Sequence, residues 1–164
     1  MEVICRPYTV DDAPALHEAI IESLDHLRPW MPWVALEPLT LEQRADWVAG
    51  ATDAIGVFLD DDRTVVGGTG LHDRLNDPAG REIGYWVRAG WTGRGIATSA
   101  ARQMIERAFA IDGVTFVEIH HDKANLASRR VPEKLGFTLI RERKDGITAP
   151  AETGISCDWR LDRS

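Results

Sequence analysis

Apolar residues recur along this chain with two periods, one near 3.6 and one of two, and the switch between them lays out the elements. Leu16, Ala19, Ile20, Ser23, Leu24 and Leu27 stand at helical spacing behind Thr9, Asp11 and Asp12, which offer N-cap groups, with Pro14 tolerated in the first turn. Arg28-Pro29-Trp30-Met31-Pro32-Trp33 breaks that helix. Thr40-Leu41-Glu42-Gln43 has capping-box form and predicts a second helix through Trp47 to about Ala51. Strand-like runs cover Val3–Cys5, Ala54–Leu59, Thr64–Leu71 and Glu82–Val87, separated by turn-rich segments such as Asp60–Arg63 and Asn76–Gly80, so the first half reads as an antiparallel meander. In the second half, Ile96, Ala97, Ala100, Ala101, Met104, Ile105, Ala108 and Phe109 make a wide apolar stripe opposite Arg102, Gln103, Glu106 and Arg107, which predicts a helix packed on a sheet over Ile96–Ala110. A strand at Thr115–His121, a helix at Ala127–Leu135 ended by Gly136, and strands at Phe137–Arg143 and Gly154–Leu161 complete the pattern. The order describes an α/β fold with a mixed sheet, in which a long helix crosses between strands Glu82–Val87 and Thr115–His121.

With 164 residues, 44% of them hydrophobic, the chain is long enough for one well-cored domain and short for two, so residues 1–164 are read as a single domain. Apolar stretches are only a few residues long and MEVICRPYT lacks the pattern of an export signal; a cytoplasmic protein with no membrane partner is expected. Cys5 and Cys157, far apart and within apolar-alternating runs, read as buried thiols rather than a bridge or metal site. A net charge of −7 argues against a nucleic-acid partner. Binding of a polyphosphate would have to rely on a local cluster.

Such a cluster exists at Arg88 to Ala97, RAGWTGRGIA, between a strand and a helix start. First-turn N–H groups of a helix have no partner within it, and the helix dipole adds partial positive charge there, so anionic oxygens are favoured. Gly93 and Gly95 allow a tight turn and close approach to a ligand. Arg94 between them adds a formal charge. No Gly-x-Gly-x-x-Gly is present, which disfavours a dinucleotide-binding fold.

Three segments, EIGYWVRAGWTGRGIATSA (Glu82–Ala100), NLASRRVPEKLGF (Asn125–Phe137) and LRPWMPW (Leu27–Trp33), resemble the GNAT superfamily of acetyl-CoA-dependent N-acetyltransferases, and within it the RimJ/RimL type. The resemblance implies a GNAT-like, mostly antiparallel central sheet flanked by helices, with a splayed strand pair that binds the cofactor. It places the coenzyme A pyrophosphate on Thr92, Gly93, Arg94, Gly95, Ile96 and Ala97, and the pantetheine arm beside the strand ending at Val87, whose N–H would polarise the thioester carbonyl. Thr92 departs from the usual Gln/Arg at its position; contacts that are mostly main chain tolerate that change.

The resemblance also assigns roles to single residues. Glu82 matches a glutamate base, with His72, His120 and His121 as rivals because an imidazole titrates near pH ~6.5. Pro132 stands where many members carry a tyrosine acid, so that route is closed. Ser128 of Asn-x-x-Ser would then hydrogen-bond the departing sulfur; a helix cap is its alternative reading, and the two roles are compatible. Pro132 has no N–H for the Ser128 carbonyl, a local loosening of the helix. Asn125 and Lys134, with Arg129 and Arg130, are implied coenzyme contacts, and Trp30 and Trp33 walls of the acceptor channel; a tryptophan plug over the core is the alternative reading of that pair. The implied reaction is direct acetyl transfer from acetyl-CoA to a primary amine, without a metal. The acceptor would be a protein N-terminal α-amine or a small molecule such as an antibiotic or metabolite. The family-level expectation is a homodimer. A non-catalytic acyl-CoA sensor stays open.

Overall fold

Hydrogen bonding joins β1 (Ile4–Pro7), β2 (Ala54–Phe58), β3 (Val65–His72), β4 (Gly80–Val87), β5 (Phe116–Asp122), β6 (Thr138–Lys144) and β7 (Ile155–Asp162) into one sheet in the order β1-β2-β3-β4-β5-β7-β6. This computed structural model describes residues 1–164. All neighbours are antiparallel except β4 and β5. That one parallel pair needs a crossover, supplied by α3 (Ile96–Phe109). The first four strands form the expected meander. β7 inserts between β5 and β6, because the β6–β7 hairpin lies beside β5 by its second strand.

The two faces of the sheet are covered unequally. On one face, Ile96, Ala100, Ala101, Met104 and Ala108 of α3 pack with Val57, Val66, Ile83, Val117, Ile119 and Trp159 into the main core. Alanines at the helix contact let α3 lie close to the strands. On the other face, α1 (Ala13–Leu27) and α2 (Leu41–Gly50) close a smaller core of Leu16, Ala19, Ile20, Val48, Phe58 and Val65 over the meander half. No helix covers the other half of that face. There β5, β7 and β6 alternate apolar residues inward with Glu118, His120, Ser156, Asp158, Arg141 and Arg143 outward.

Element ends differ from the sequence pattern by a few residues. β1 runs on to Pro7 because that residue still opposes Ile55, and β4 starts at Gly80 because Gly80 and Arg81 oppose Phe116 and Val117. Pairing partners, invisible to periodicity, set these limits. Thr40 caps α2 as anticipated, accepting the Gln43 N–H at 3.1 Å while Gln43 accepts the Thr40 N–H at 2.8 Å. A 3-10 turn at Pro32–Leu36, after the Pro-Trp run begins, has no counterpart in the pattern. No helix is long and apolar enough to cross a membrane.

Candidate active site

β4 and β5 pair only at Gly80↔Phe116, Arg81↔Val117 and Glu82↔Glu118. Beyond Glu82 the strands part, and β5 keeps pairing with β7 as far as Asp122↔Ser156. A fork therefore opens at Glu82. On its other edge β4 stays paired to β3 up to Gly67↔Val87. The next bond, from Arg88 N–H to the Val66 carbonyl at 2.8 Å, fixes the alternation of that antiparallel ladder and turns the Val87 N–H toward the fork.

The first turn of α3 adjoins the open end of β4. Gly95 is its N-cap at φ +77°, with no side-chain cap, and Gly93 lies at φ +73°. These left-handed positions carry no Cβ penalty only as glycine. The Ser99 N–H bonds Gly95 O at 3.0 Å, so the amides of Ile96, Ala97 and Thr98 precede the first intrahelical bond. They line a cavity of about 340 Å³ together with Val87, Trp91, Thr92, Gly93, Gly95, Arg130 and Lys134. Ser23 anchors the chain leading into this loop, accepting the Ala89 N–H at 2.9 Å and donating to Ala19 O at 2.6 Å.

α4 (Leu126–Lys134) starts beside the fork. Its cap is Asn125, whose side-chain oxygen accepts the Ser128 N–H at 3.2 Å, so the cap reading of Ser128 is corrected: Ser128 stands in the first turn. The Tyr85 phenol is 3.0 Å from the Ser128 carbonyl and 3.1 Å from its hydroxyl. Burial pushes that phenol well above its ordinary value, and the Ser128 hydrogen bond only partly offsets this.

A second cavity, of about 450 Å³, opens on the face that no helix covers, lined by Glu82, Arg74, His120, Asp122, Arg143 and Glu152 among others. The two cavities share Trp30, Met31, Tyr85, Asn125 and Ser128, which mark their junction. Glu82 is buried and bonded by Arg74 Nε, while its other oxygen lies 3.2 Å from His120 Nδ1. His120 Nε2 lies 2.7 Å from Glu118. Asp158, whose side chain has no exposure, accepts from Arg141 at 2.6 Å, Arg143 at 2.7 Å and Ser156 at 2.7 Å. Burial pushes its carboxyl up, but the bonds from Ser156 and Arg143 with the nearby charges hold it below the usual carboxylate range. Glu118, His120 and Asp158 converge closely enough to resemble a metal triad, yet Arg141 bridges both carboxylates and supplies the countercharge.

The three rival histidines separate. His121 is a structural imidazole: the Trp159 indole donates to Nε2 at 2.9 Å, Nδ1 sits 2.8 Å from Asp122 O, and burial lowers its proton affinity. His72 points to Asp53 at 3.1 Å, outside both cavities. His120 alone touches Glu82. Of the tryptophans, Trp30 lies at the junction, whereas Trp33 packs edge-on against Trp86 at 6.1 Å and lines neither cavity. Arg94 lies over the Trp91 ring at 4.6 Å rather than along the cavity wall, and Arg129 pairs with Glu133 at 2.9 Å. Sequence reasoning missed Tyr85, Arg74 and the arginines of β6. The Tyr85 signal was present: a polar-tipped residue on the core face of β4, with a proline four residues beyond a serine.

The chain matches the family described as acetyltransferase (GNAT) domain over residues 2–138. It is 33% identical over 145 residues to a Bacillus subtilis (strain 168) protein provisionally named ribosomal N-acetyltransferase YdaF, covering 83% of this chain and 78% of that one. Its fold resembles RimL, a ribosomal L7/L12 alpha-N-protein acetyltransferase solved with coenzyme A (TM-score 0.84, 17% identity, 99% and 95% of the two chains). It also resembles the microcin C7 self-immunity acetyltransferase MccE solved with acetyl-CoA and AMP (TM-score 0.85, 16% identity, 98% and 92%). The forked mixed sheet and uncapped glycine-loop helix thus agree with a family match over most of the length, and the chain belongs to the GNAT acetyltransferase family.

Proposed function

We propose that this protein transfers the acetyl group of acetyl-CoA directly to a primary amine, and that the acceptor is the α-amine of a protein N-terminus. The observation that carries the reading is the meeting of two cavities at the β4/β5 fork, one ending on the α3 amides and one containing Glu82. The first suits the coenzyme. Free amides at Ile96, Ala97 and Thr98, with Arg130 and Lys134, suit its phosphates, and Leu27, Trp91 and Val131 give the arm an apolar wall. Main-chain groups on the open edge of β4 suit its amides as an added strand would.

Acetyl-CoA brings the acyl group and a thiolate leaving group. Val87 N–H polarises the reacting carbonyl. Glu82 accepts the proton of the incoming ammonium, directly or through water. The Arg74 side chain on Glu82 is 60% exposed, so an arriving ammonium exchanges one cation for another without stranding the carboxylate. Ser128 lies at the junction, where its hydroxyl hydrogen-bonds the departing sulfur. Buried Cys5 and Cys157 favour direct transfer over a covalent acetyl-enzyme.

Support for a peptide acceptor comes from the mostly polar walls of the second cavity, where Asp122, Arg143, Thr148 and Glu152 offer both donors and acceptors, and from the name of the B. subtilis relative. Coenzyme release is measured with peptides of varied N-terminus and with small amines, and mass spectrometry then locates the acetyl group. Faster turnover of peptides, acetylated at the α-amine, is expected. Preference for a small amine would overturn the acceptor, and thermal stabilisation by acetyl-CoA with no turnover of any amine would overturn the enzyme.

A further inference from the structure

We infer that Tyr85 is a positioning residue for Ser128: its phenol takes the place of the backbone donor that Pro132 removes from α4, and it holds the Ser128 hydroxyl toward the junction of the two cavities. The inference rests on the acetyltransferase reading for its catalytic half and on geometry alone for the other half.

In a regular helix the carbonyl of Ser128 would accept from the N–H of residue 132. Proline has none, and a proline ring inside a helix clashes with the carbonyl four residues back. A carbonyl left without its helical amide needs another donor. The Tyr85 hydroxyl, 3.0 Å away, comes from a different element, β4, and is the donor found there. Its oxygen is also 3.1 Å from Ser128 Oγ, so one phenolic proton has two acceptors within reach on the same residue. Asn125 holds Ser128 from the opposite end through its N–H at 3.2 Å. Ser128 is thus gripped at its amide, its carbonyl and its hydroxyl.

Two arrangements of protons are open to this group. With no sulfur present, the phenol donates to the carbonyl and accepts the serine hydroxyl. When negative charge gathers on a departing sulfur, the serine hydroxyl turns to it and the phenolic proton turns to Ser128 Oγ, giving a chain of two donors aimed at the charge. Aligned hydrogen bonds polarise one another, so the second donor strengthens the first. No covalent bond to hydrogen breaks. Burial keeps the phenol neutral, which suits a donor that orients and does not ionise.

Two measurements test the inference. In thermal melts, Tyr85→Phe removes the substitute donor and lowers Tm by about 2–4 °C. In a Pro132→Ala background the restored amide serves the carbonyl, and the same change then moves Tm far less. An equal drop in both backgrounds would overturn the substitution of phenol for amide. In steady-state kinetics, Tyr85→Phe lowers kcat about tenfold, the size of one hydrogen bond, with KM for acetyl-CoA held within about twofold. After Ser128→Ala, adding Tyr85→Phe costs no further turnover. Unchanged kcat in the single variant, or a loss that multiplies in the double one, would overturn the positioning role. Absence of turnover in the unaltered protein with every amine would instead sink the acetyltransferase reading, and the melting cycle would still decide whether Tyr85 replaces the missing amide.

Discussion

Replacing Glu82 by Gln separates proton transfer from architecture. The amide has the same shape, its oxygen still accepts from Arg74 Nε, and its NH₂ faces His120 Nδ1, which lies 3.2 Å from the present carboxylate. What is lost is the charge-assisted part of the hydrogen bond from Arg74, whose side chain is 60% exposed, and the negative charge beside His120. That amounts to about 1 kcal/mol, or a Tm drop of about 2–4 °C for a chain of this length. The catalytic loss is larger. General-base assistance contributes roughly 10²–10⁴-fold, equivalent to about 3–5 kcal/mol of barrier. Residual turnover in the variant then depends on acceptor already deprotonated in bulk, so kcat/KM rises with pH until the amine's own pKa, about 8 for a peptide N-terminus. The assay is coenzyme release with a peptide acceptor from pH 6 to about 9, alongside melting curves. Turnover within about threefold of the unaltered protein and a superimposable pH profile would refute the assignment, and His120 would become the group to replace.

Gly95→Trp forces a side chain into a φ +77° position at the mouth of the coenzyme cavity, so the thermal shift produced by acetyl-CoA should disappear, and a normal shift would contradict the placement of the phosphates. Asp158→Asn should cost about 2–3 kcal/mol, less than a fully buried pair because Arg141 and Arg143 are 44% and 37% exposed and reach water. Because the folded carboxyl is held below its ordinary value, this stability is fully present above pH ~4 and lost as pH falls through the folded value, so the two proteins should converge in strong acid; a gap that widened there would be inconsistent with the pairing. Burial pushes the Cys5 thiol up to about 11, against a smaller pull from Arg107, and raises Cys157 too. Neither thiol should react with a disulfide reagent at pH ~8 until the protein is unfolded, and rapid native labelling would contradict the burial.

The glycine loop was legible because every part of it is local. Strand, glycines and amphipathic helix succeed one another along a single short stretch of chain, and first-turn amides are free wherever an uncapped helix begins. Glu82 was legible as a candidate through the family resemblance of its strand, but its partners were not. Arg74 lies in the β3–β4 loop and His120 on β5, and only the register His72↔Glu82↔Glu118 brings them to one point. Trp33 illustrates the opposite outcome. The family resemblance placed it with Trp30 on the acceptor channel, yet the 3-10 turn starting at Pro32 carries it onto Trp86.

Period and composition by themselves determined the elements, their faces and the anion-friendly loop, since these depend on which residues lie three, four or two positions apart. Tertiary structure alone decided that β4 and β5 part after Glu82, that β7 enters between β5 and β6, and that the Tyr85 phenol meets the serine whose helix lacks an amide at Pro132. The physical reason is range. Each of these is a meeting of groups distant along the chain, set by strand pairing and packing, and no local preference of either partner encodes it.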